Sequence, residues 1–242
     1  MLIAQSNPKS PISEAFRVLR TNIEFSSVDN PIKSLVFTSA LPGEGKTTVI
    51  SNLAVTFALQ EKRVLLVDGD LRKPKIHKIF KVENDRGLTS FLSVKDDFRL
   101  YLKKTNLKNL DIMPCGIIPP NPSELLSSNI MKQFIKQVTN EYDVILIDTP
   151  PIGTVTDAAL LSTVVDGTIL IASSGTVEID SIVRAKELLD QVNANIIGVV
   201  INKIDKSNAG KYHYYYYNRY YDENDIQISR RKASKKRREK KI

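Results

Sequence analysis

The chain has one cysteine in 242 residues, Cys115, and two histidines, His77 and His213. A lone thiol cannot close an internal disulfide, and a multi-cysteine zinc or iron–sulfur centre within one chain is excluded. Two histidines give little basis for a His-based metal site. Long apolar runs are missing too: nothing approaches the roughly 18 uninterrupted apolar residues of a membrane-spanning helix. The opening residues MLIAQSNPKS lack a basic segment followed by an apolar core, so no secretory signal is read there and a reducing cytoplasm is the expected setting. Charge of one sign is also scarce over most of the chain. The formal net charge is +8, but residues 211–242 hold 11 Lys and Arg against 4 Asp and Glu, and the other 210 residues hold 24 against 23. The basic character belongs to the tail, so a basic nucleic-acid-binding face on the globular part is not expected, and nucleic acid is not an anticipated partner.

The length suits one α/β domain plus a tail. Six short apolar runs read as strands: Ser34–Ser39, Arg63–Asp68, Leu110–Pro114, Asp143–Asp148, Thr168–Ala172 and Ile196–Ile201. Runs such as VILI at 144–147 and IIGVV at 196–200 are continuous rather than alternating, which suits strands covered on both faces of a parallel sheet. Helix-length segments lie between them: Thr47–Gln60, Pro122–Asn140 and Glu178–Val192. Asn121 is placed to cap the second, with Pro122 at its first position and Glu124 at the capping-box position. The third repeats Ile182, Ala185, Leu188, Leu189 and Val192 at helical spacing. Before the first strand, Ile12, Phe16, Leu19 and Ile23 form an apolar stripe on a further helix, with Glu14, Arg17 and Arg20 beside it. This alternation predicts a doubly wound, mainly parallel α/β sheet with helices on both faces. Residues 1–206 are expected to form that domain. Residues 207–242, poor in core-building aliphatics, are expected to be a disordered tail.

Three motifs carry chemistry. Ala40-Leu41-Pro42-Gly43-Glu44-Gly45-Lys46-Thr47-Thr48 fits the phosphate-binding loop, with Ala in place of its first Gly, between an entering strand and a leaving helix. Successive backbone N–H groups and the helix N-terminus would surround the β-phosphate of ATP. Lys46 would bridge its β- and γ-phosphates, and Thr47 would offer a hydroxyl to Mg²⁺. The second motif, Val144–Pro151, ends an apolar strand on Asp148 at the sheet's carboxyl edge, where a carboxylate can hold Mg²⁺ through water. The third, Val64–Pro74, ends a second buried strand on Asp68 and Asp70 across a glycine, which suggests one metal-linked acid and one base.

Together these motifs resemble the bacterial tyrosine kinases that regulate capsule and exopolysaccharide synthesis, over nearly the whole chain. Glu14, Arg17 and Arg20 look like the family's E-x-x-R-x-x-R subunit-contact helix, and Asn121–Leu126 is similar to a recurring family segment. Tyr212, Tyr214, Tyr215, Tyr216, Tyr217, Tyr220 and Tyr221 look like its C-terminal acceptor cluster. The resemblance implies a P-loop fold of the MinD type that transfers phosphate from ATP to tyrosine with Mg²⁺. Lys46, Asp68, Asp70 and Asp148 would be the catalytic residues, with Thr47, Asp70 and Asp148 at the metal and Asp68 the candidate base, the division of roles between Asp68 and Asp70 being left open. Pro42, Gly43, Glu44, Gly45, Lys46, Thr47, Thr48 and Asn202 would bind nucleotide, Asn202 through adenine. It further implies a ring-like homo-oligomer phosphorylating its tails in trans. With no membrane-spanning run, the chain resembles the split arrangement, in which a separate transmembrane activator recruits a soluble kinase peripherally to the inner membrane face. Polysaccharide-synthesis enzymes are then possible substrates.

Seven of the nine tyrosines fall within residues 212–221, without the aliphatics that would pack them. Aromatics beside basic residues also suit a stacking platform for single-stranded nucleic acid, but dense tyrosines on a flexible arm suit an acceptor better. The basic run 230–241 is either a solvated tail or a segment drawn to anionic lipid. The other functional class considered is a MinD- or ParA-like positioning or partitioning ATPase. Such proteins usually carry a lysine where this loop has Leu41, and that role leaves the tyrosine cluster unexplained.

Overall fold

The computed structural model describes residues 2–26 and 31–204. The expected tail, with its tyrosine cluster and basic run, lies outside the described residues. Seven strands form one sheet: β1 (Ser34–Ser39), β2 (Val64–Asp68), β3 (Lys103–Lys104), β4 (Leu110–Met113), β5 (Val144–Asp148), β6 (Gly167–Ser173) and β7 (Ile196–Asn202). Their order is β3-β4-β2-β5-β1-β6-β7. Every pairing is parallel except that of β3 with β4. The expected strands β1, β2, β4, β5 and β6 are buried at every position, but the continuous run 196–200 in β7, expected to be covered on both faces, is not. β7, at one edge of the sheet, leaves side chains such as Val199 and Ile201 in the open, and β3, at the other edge, leaves Lys104 so. The strand absent from the sequence reading, β3, is two lysines long and carries no apolar pattern to detect.

The helices divide between the two faces. On one, α3 (Lys46–Ala58) lies between the sheet and the N-terminal helices α1 (Ile3–Ser6) and α2 (Pro11–Phe25), and its side chains are buried almost all round. Phe16, Leu19 and Ile23 of α2 pack into this layer as the stripe predicts, whereas Ile12, the first residue of the expected stripe, is exposed. On the other face, Phe91 of α5 (Leu88–Val94), Phe98 and Phe134 of α7 (Asn129–Glu141) cluster with ring centroids 5.2 and 5.7 Å apart about Phe134. The short helices α4 (Ile76–Phe80), α6 (Pro122–Leu126) and α8 (Asp157–Ser162), and α9 (Ile179–Asp190), complete the layers.

One expected helix is broken. The segment 122–140 forms two helices, α6 and α7, because Ser128 starts a second one: its hydroxyl accepts the Met131 N–H at 3.2 Å. A serine cap of this kind contributes about 1 kcal/mol. Pro122 does stand at the first helical position, but Asn121 makes no side-chain cap. The crossovers leave the carboxyl ends of β1, β2, β5, β6 and β7 on one edge, where the chain reverses its winding direction and ligands of such sheets bind.

Candidate active site

The loop from Ala40 to Gly45 joins β1 to α3. Gly43 and Gly45 take φ of +84° and +92°, a left-handed backbone that side chains disfavour. Gly45 has a second reason to lack a side chain, since a Cβ there would lie 2.2 Å from Asn202 Nδ2. At the start of α3, the N–H groups of Lys46, Thr47 and Thr48 have no partner within the helix, and the helix dipole adds positive potential there. This is an anion site made of backbone. Pro42, Gly43 and Thr48 are exposed, and Thr47 is half-buried.

Lys46 is only 8% exposed, and its Nζ donates to Ser39 Oγ at 3.0 Å. Burial lowers its pKa, while the charges of Asp148, Asp70 and Glu44 push the other way. Asp148 is buried at the tip of β5, and its pKa is pushed up to about 7, chiefly by that burial; the Thr47 hydroxyl and the Lys46 ammonium oppose the shift. Across the strand pair, Asp68 stands in register with Asp148. Burial and the neighbouring Asp148 raise the Asp68 pKa well above the usual carboxylate range. Asp68 Oδ2 accepts the N–H groups of Lys75 and Ile76 at 3.1 and 3.0 Å, so this side chain also shapes the loop that leads into α4. Asp70 is more open, and its Oδ1 accepts the N–H groups of Arg72 and Lys73 at 3.3 and 2.9 Å.

Asp68 Oδ1 and Asp148 Oδ1 are both buried without a hydrogen-bond partner. Buried carboxylate oxygens left unpaired beside a lysine and a helix N-terminus fit a divalent cation and its phosphate ligand. Among the described residues no three His, Cys, Asp or Glu gather as a metal cage. Mg²⁺ does not need one, because it keeps most of its waters and takes one or two carboxylates plus phosphate.

The remaining expected residues lie at the end of β7 and on α2. Asn202 ends β7 against the loop, where its Nδ2 donates to the Glu44 carbonyl at 2.8 Å. Glu14 is exposed and Arg17 half-buried on α2, and they are bonded to each other, Arg17 Nε to Glu14 Oε2 at 2.7 Å. Arg20 departs from its expected exposed position: it is buried against α3, donates to the Thr56 carbonyl at 3.2 Å and pairs with Glu24 at 3.7 Å. Arg20 sits on the same face as the stripe residue Ile23, so the stem that was to reach a neighbour packs within its own chain.

Sequence reasoning missed one pair. Arg72 Nε and Nη2 donate to Asp157 Oδ2 and Oδ1 at 2.8 and 2.9 Å, and Nη2 lies 3.4 Å from Ser123 Oγ. The pair ties the Asp68–Asp70 loop to α6 and α8. Arg72 stands inside a motif already singled out, but nothing in the sequence marks Asp157, 85 residues away, as its partner.

Residues 32–224 match the ParA family, described as "NUBPL iron-transfer P-loop NTPase". Tyrosine-protein kinase YwqD of Bacillus subtilis is 47% identical over 213 residues, covering 88% of this chain and 90% of the relative. The putative tyrosine-protein kinase CapB of Staphylococcus aureus is 40% identical over 215 residues, 88% of this chain and 94% of the relative. The crystal structure of the chimerical protein CapA2B2 superposes with a TM-score of 0.81 at 40% identity, covering 85% of this chain and 90% of that one. The septum site-determining protein MinD of Pyrococcus horikoshii shares the fold alone, with a TM-score of 0.60 at 24% identity over 70% of this chain and 69% of its own. With the carboxylates and the phosphate loop brought to one sheet edge, and relatives this similar along nearly their whole length, the chain belongs to the bacterial tyrosine-protein kinases, on the fold of the P-loop NTPases.

Proposed function

We propose that the chain is an ATP-dependent protein-tyrosine kinase that phosphorylates its own C-terminal tyrosines in trans and regulates capsular or exopolysaccharide synthesis. The observation that carries the reading is the pair of unpartnered buried oxygens on Asp68 and Asp148 beside Lys46 and the open N-terminus of α3. The backbone of residues 43–48 and Lys46 hold the triphosphate of ATP. Thr47, Asp148 and Asp70 are the residues that would hold Mg²⁺, which supplies charge neutralisation at the transferring phosphate. The tyrosine phenol oxygen bonds to the γ-phosphorus, the bond to the β,γ-bridging oxygen breaks, and ADP leaves. Asp68, in its ionised form, takes the phenol proton through its unpartnered Oδ1. Positioning and charge stabilisation outweigh the base, because phosphoryl transfer has a loose transition state.

The domain comprises residues 1–206, and the acceptors are Tyr212, Tyr214–Tyr217, Tyr220 and Tyr221 of the tail. Subunits assemble into a ring with Glu14 and Arg17 at the contacts, and Arg20 steadies the helix that bears them. Each phosphate adds about −1.5 to −2 charges, enough for several to reverse the tail's excess of basic residues and loosen the assembly. A separate transmembrane activator brings the kinase to the inner face of the membrane, and polysaccharide-synthesis enzymes are further substrates. Among the described residues no helix is long and apolar enough to cross a membrane. A MinD-like positioning ATPase is disfavoured by Leu41 in the loop and by the tyrosine cluster. Incubation with γ-labelled ATP and Mg²⁺ separates the two: label on tyrosine supports the kinase, and release of free phosphate alone overturns it.

A further inference from the structure

We propose that Glu44 is a positioning residue which, with Asn202 and Lys203, braces the phosphate loop in its nucleotide-accepting shape; the inference rests on loop 40–48 being the ATP site. Glu44 occupies the position between the two loop glycines, where the sequence suggests a nucleotide contact. Its side chain is instead buried, 3% exposed, with both oxygens engaged. Oε1 accepts the Leu41 N–H at 2.6 Å, tying the start of the loop to its middle. Oε2 accepts the Ser173 N–H at 2.9 Å, tying the loop to the end of β6. From the end of β7, Asn202 Nδ2 donates to the Glu44 carbonyl at 2.8 Å, and Lys203 Nζ donates to the Gly43 carbonyl at 2.7 Å.

These contacts solve a problem any phosphate-binding loop has. Its carbonyl oxygens must be occupied away from the anion, or they repel it. Asn202 and Lys203 take two of them. Each of those carbonyls shares its peptide group with the next N–H, that of Glu44 or of Gly45. Hydrogen bonding at the oxygen polarises the group and strengthens the donor. The close seat of Asn202 under Gly45, where a Cβ would lie 2.2 Å from its Nδ2, fits a brace built into the loop. A carboxylate touching a triphosphate would repel it, whereas Glu44, holding two backbone donors and lying near the Lys46 ammonium, stabilises the loop without that contact.

The test uses the full chain, a fluorescent mant-ADP probe with Mg²⁺, and steady-state tyrosine phosphorylation. Glu44→Gln keeps the shape but offers one acceptor where two are needed. It is expected to weaken probe binding and raise the KM for ATP by about tenfold, the factor that goes with one lost buried hydrogen bond. Lys203→Met removes an exposed side chain, leaves folding intact, and is expected to weaken both by about threefold, as for one partly solvated hydrogen bond. Simple loss of folded protein would lower the apparent kcat and leave KM where it was. Both variants within twofold of wild type in Kd and KM overturn the brace while the kinase reading stands. Wild-type protein that fails to bind the probe overturns the nucleotide site, and the brace with it.

Discussion

Cutting Arg72 back to alanine would leave the Asp157 carboxylate buried without a counter-charge. That side chain is 0% exposed, and among the described residues both of its hydrogen bonds come from Arg72. Removing one partner of a fully buried ion pair costs about 3–5 kcal/mol. Here the arginine end is 36% exposed, so water can enter the vacated space and rehydrate part of the charge. Asp157 also stands in the first turn of α8, which favours a negative charge a little. The expected cost is therefore about 2–3 kcal/mol, below the fully buried range. For a domain of this size that lowers the melting midpoint by about 4–12 °C. The assay is urea denaturation of nucleotide-free protein, run on Arg72→Ala, Asp157→Ala and the double variant. Asp157→Ala should cost less than Arg72→Ala, because a released arginine returns to water. The double variant should fall short of the sum of the singles by about 1 kcal/mol or more, since the stranded charge is gone. Arg72→Ala within about 0.5 kcal/mol of wild type, or strictly additive effects, would refute the reasoning.

Lys46→Met is expected to abolish tyrosine labelling while the melting midpoint of the nucleotide-free protein stays level or rises, because a buried ammonium is replaced by an apolar chain of similar length; calorimetry and labelling in parallel check both. The raised pKa of Asp148, about 7 against 3.8 for the ordinary group, means the folded protein holds that proton more tightly than the unfolded chain. Nucleotide-free, metal-free protein should then lose stability as pH rises from about 4 to 7 and level off above, with Asp68 acting in the same direction. Asp148→Asn should flatten that slope and be the more stable protein at pH 8, which urea midpoints at pH 5 and pH 8 decide. Gly45→Ala, which forces a Cβ toward Asn202 in a left-handed backbone, should weaken Mg·ATP binding by about a hundredfold or more, read by titration calorimetry.

The sheet was legible because strands covered on both faces must be apolar without interruption, and β1, β2, β5 and β6 all write that signature. The edge pairing of Lys103 and Lys104 was not, since it rests on backbone hydrogen bonds and no side-chain pattern. The break between α6 and α7 was within reach: Ser127-Ser128 interrupts the apolar spacing, but the Asn121-Pro122 start signal outweighed it. At the site, Lys46, Asp68 and Asp148 could be read from motif and strand end. Their partnerships could not. Arg72 meets Asp157, and Glu44 meets Ser173, only because the crossovers bring distant strand ends and helix starts together. The inward turn of Arg20 was hidden for a related reason: an arginine stem can lie along an apolar face as readily as project from it.

Mass spectrometry of the full chain, incubated with Mg·ATP and the cytoplasmic part of the proposed activator, tests the central claim most directly. Phosphate on several of Tyr212, Tyr214–Tyr217, Tyr220 and Tyr221, absent from the Lys46→Met variant and restored to that variant when a tailless active chain is mixed in, is the predicted result. A tail that stays unmodified while ATP is turned over to ADP and free phosphate would contradict it.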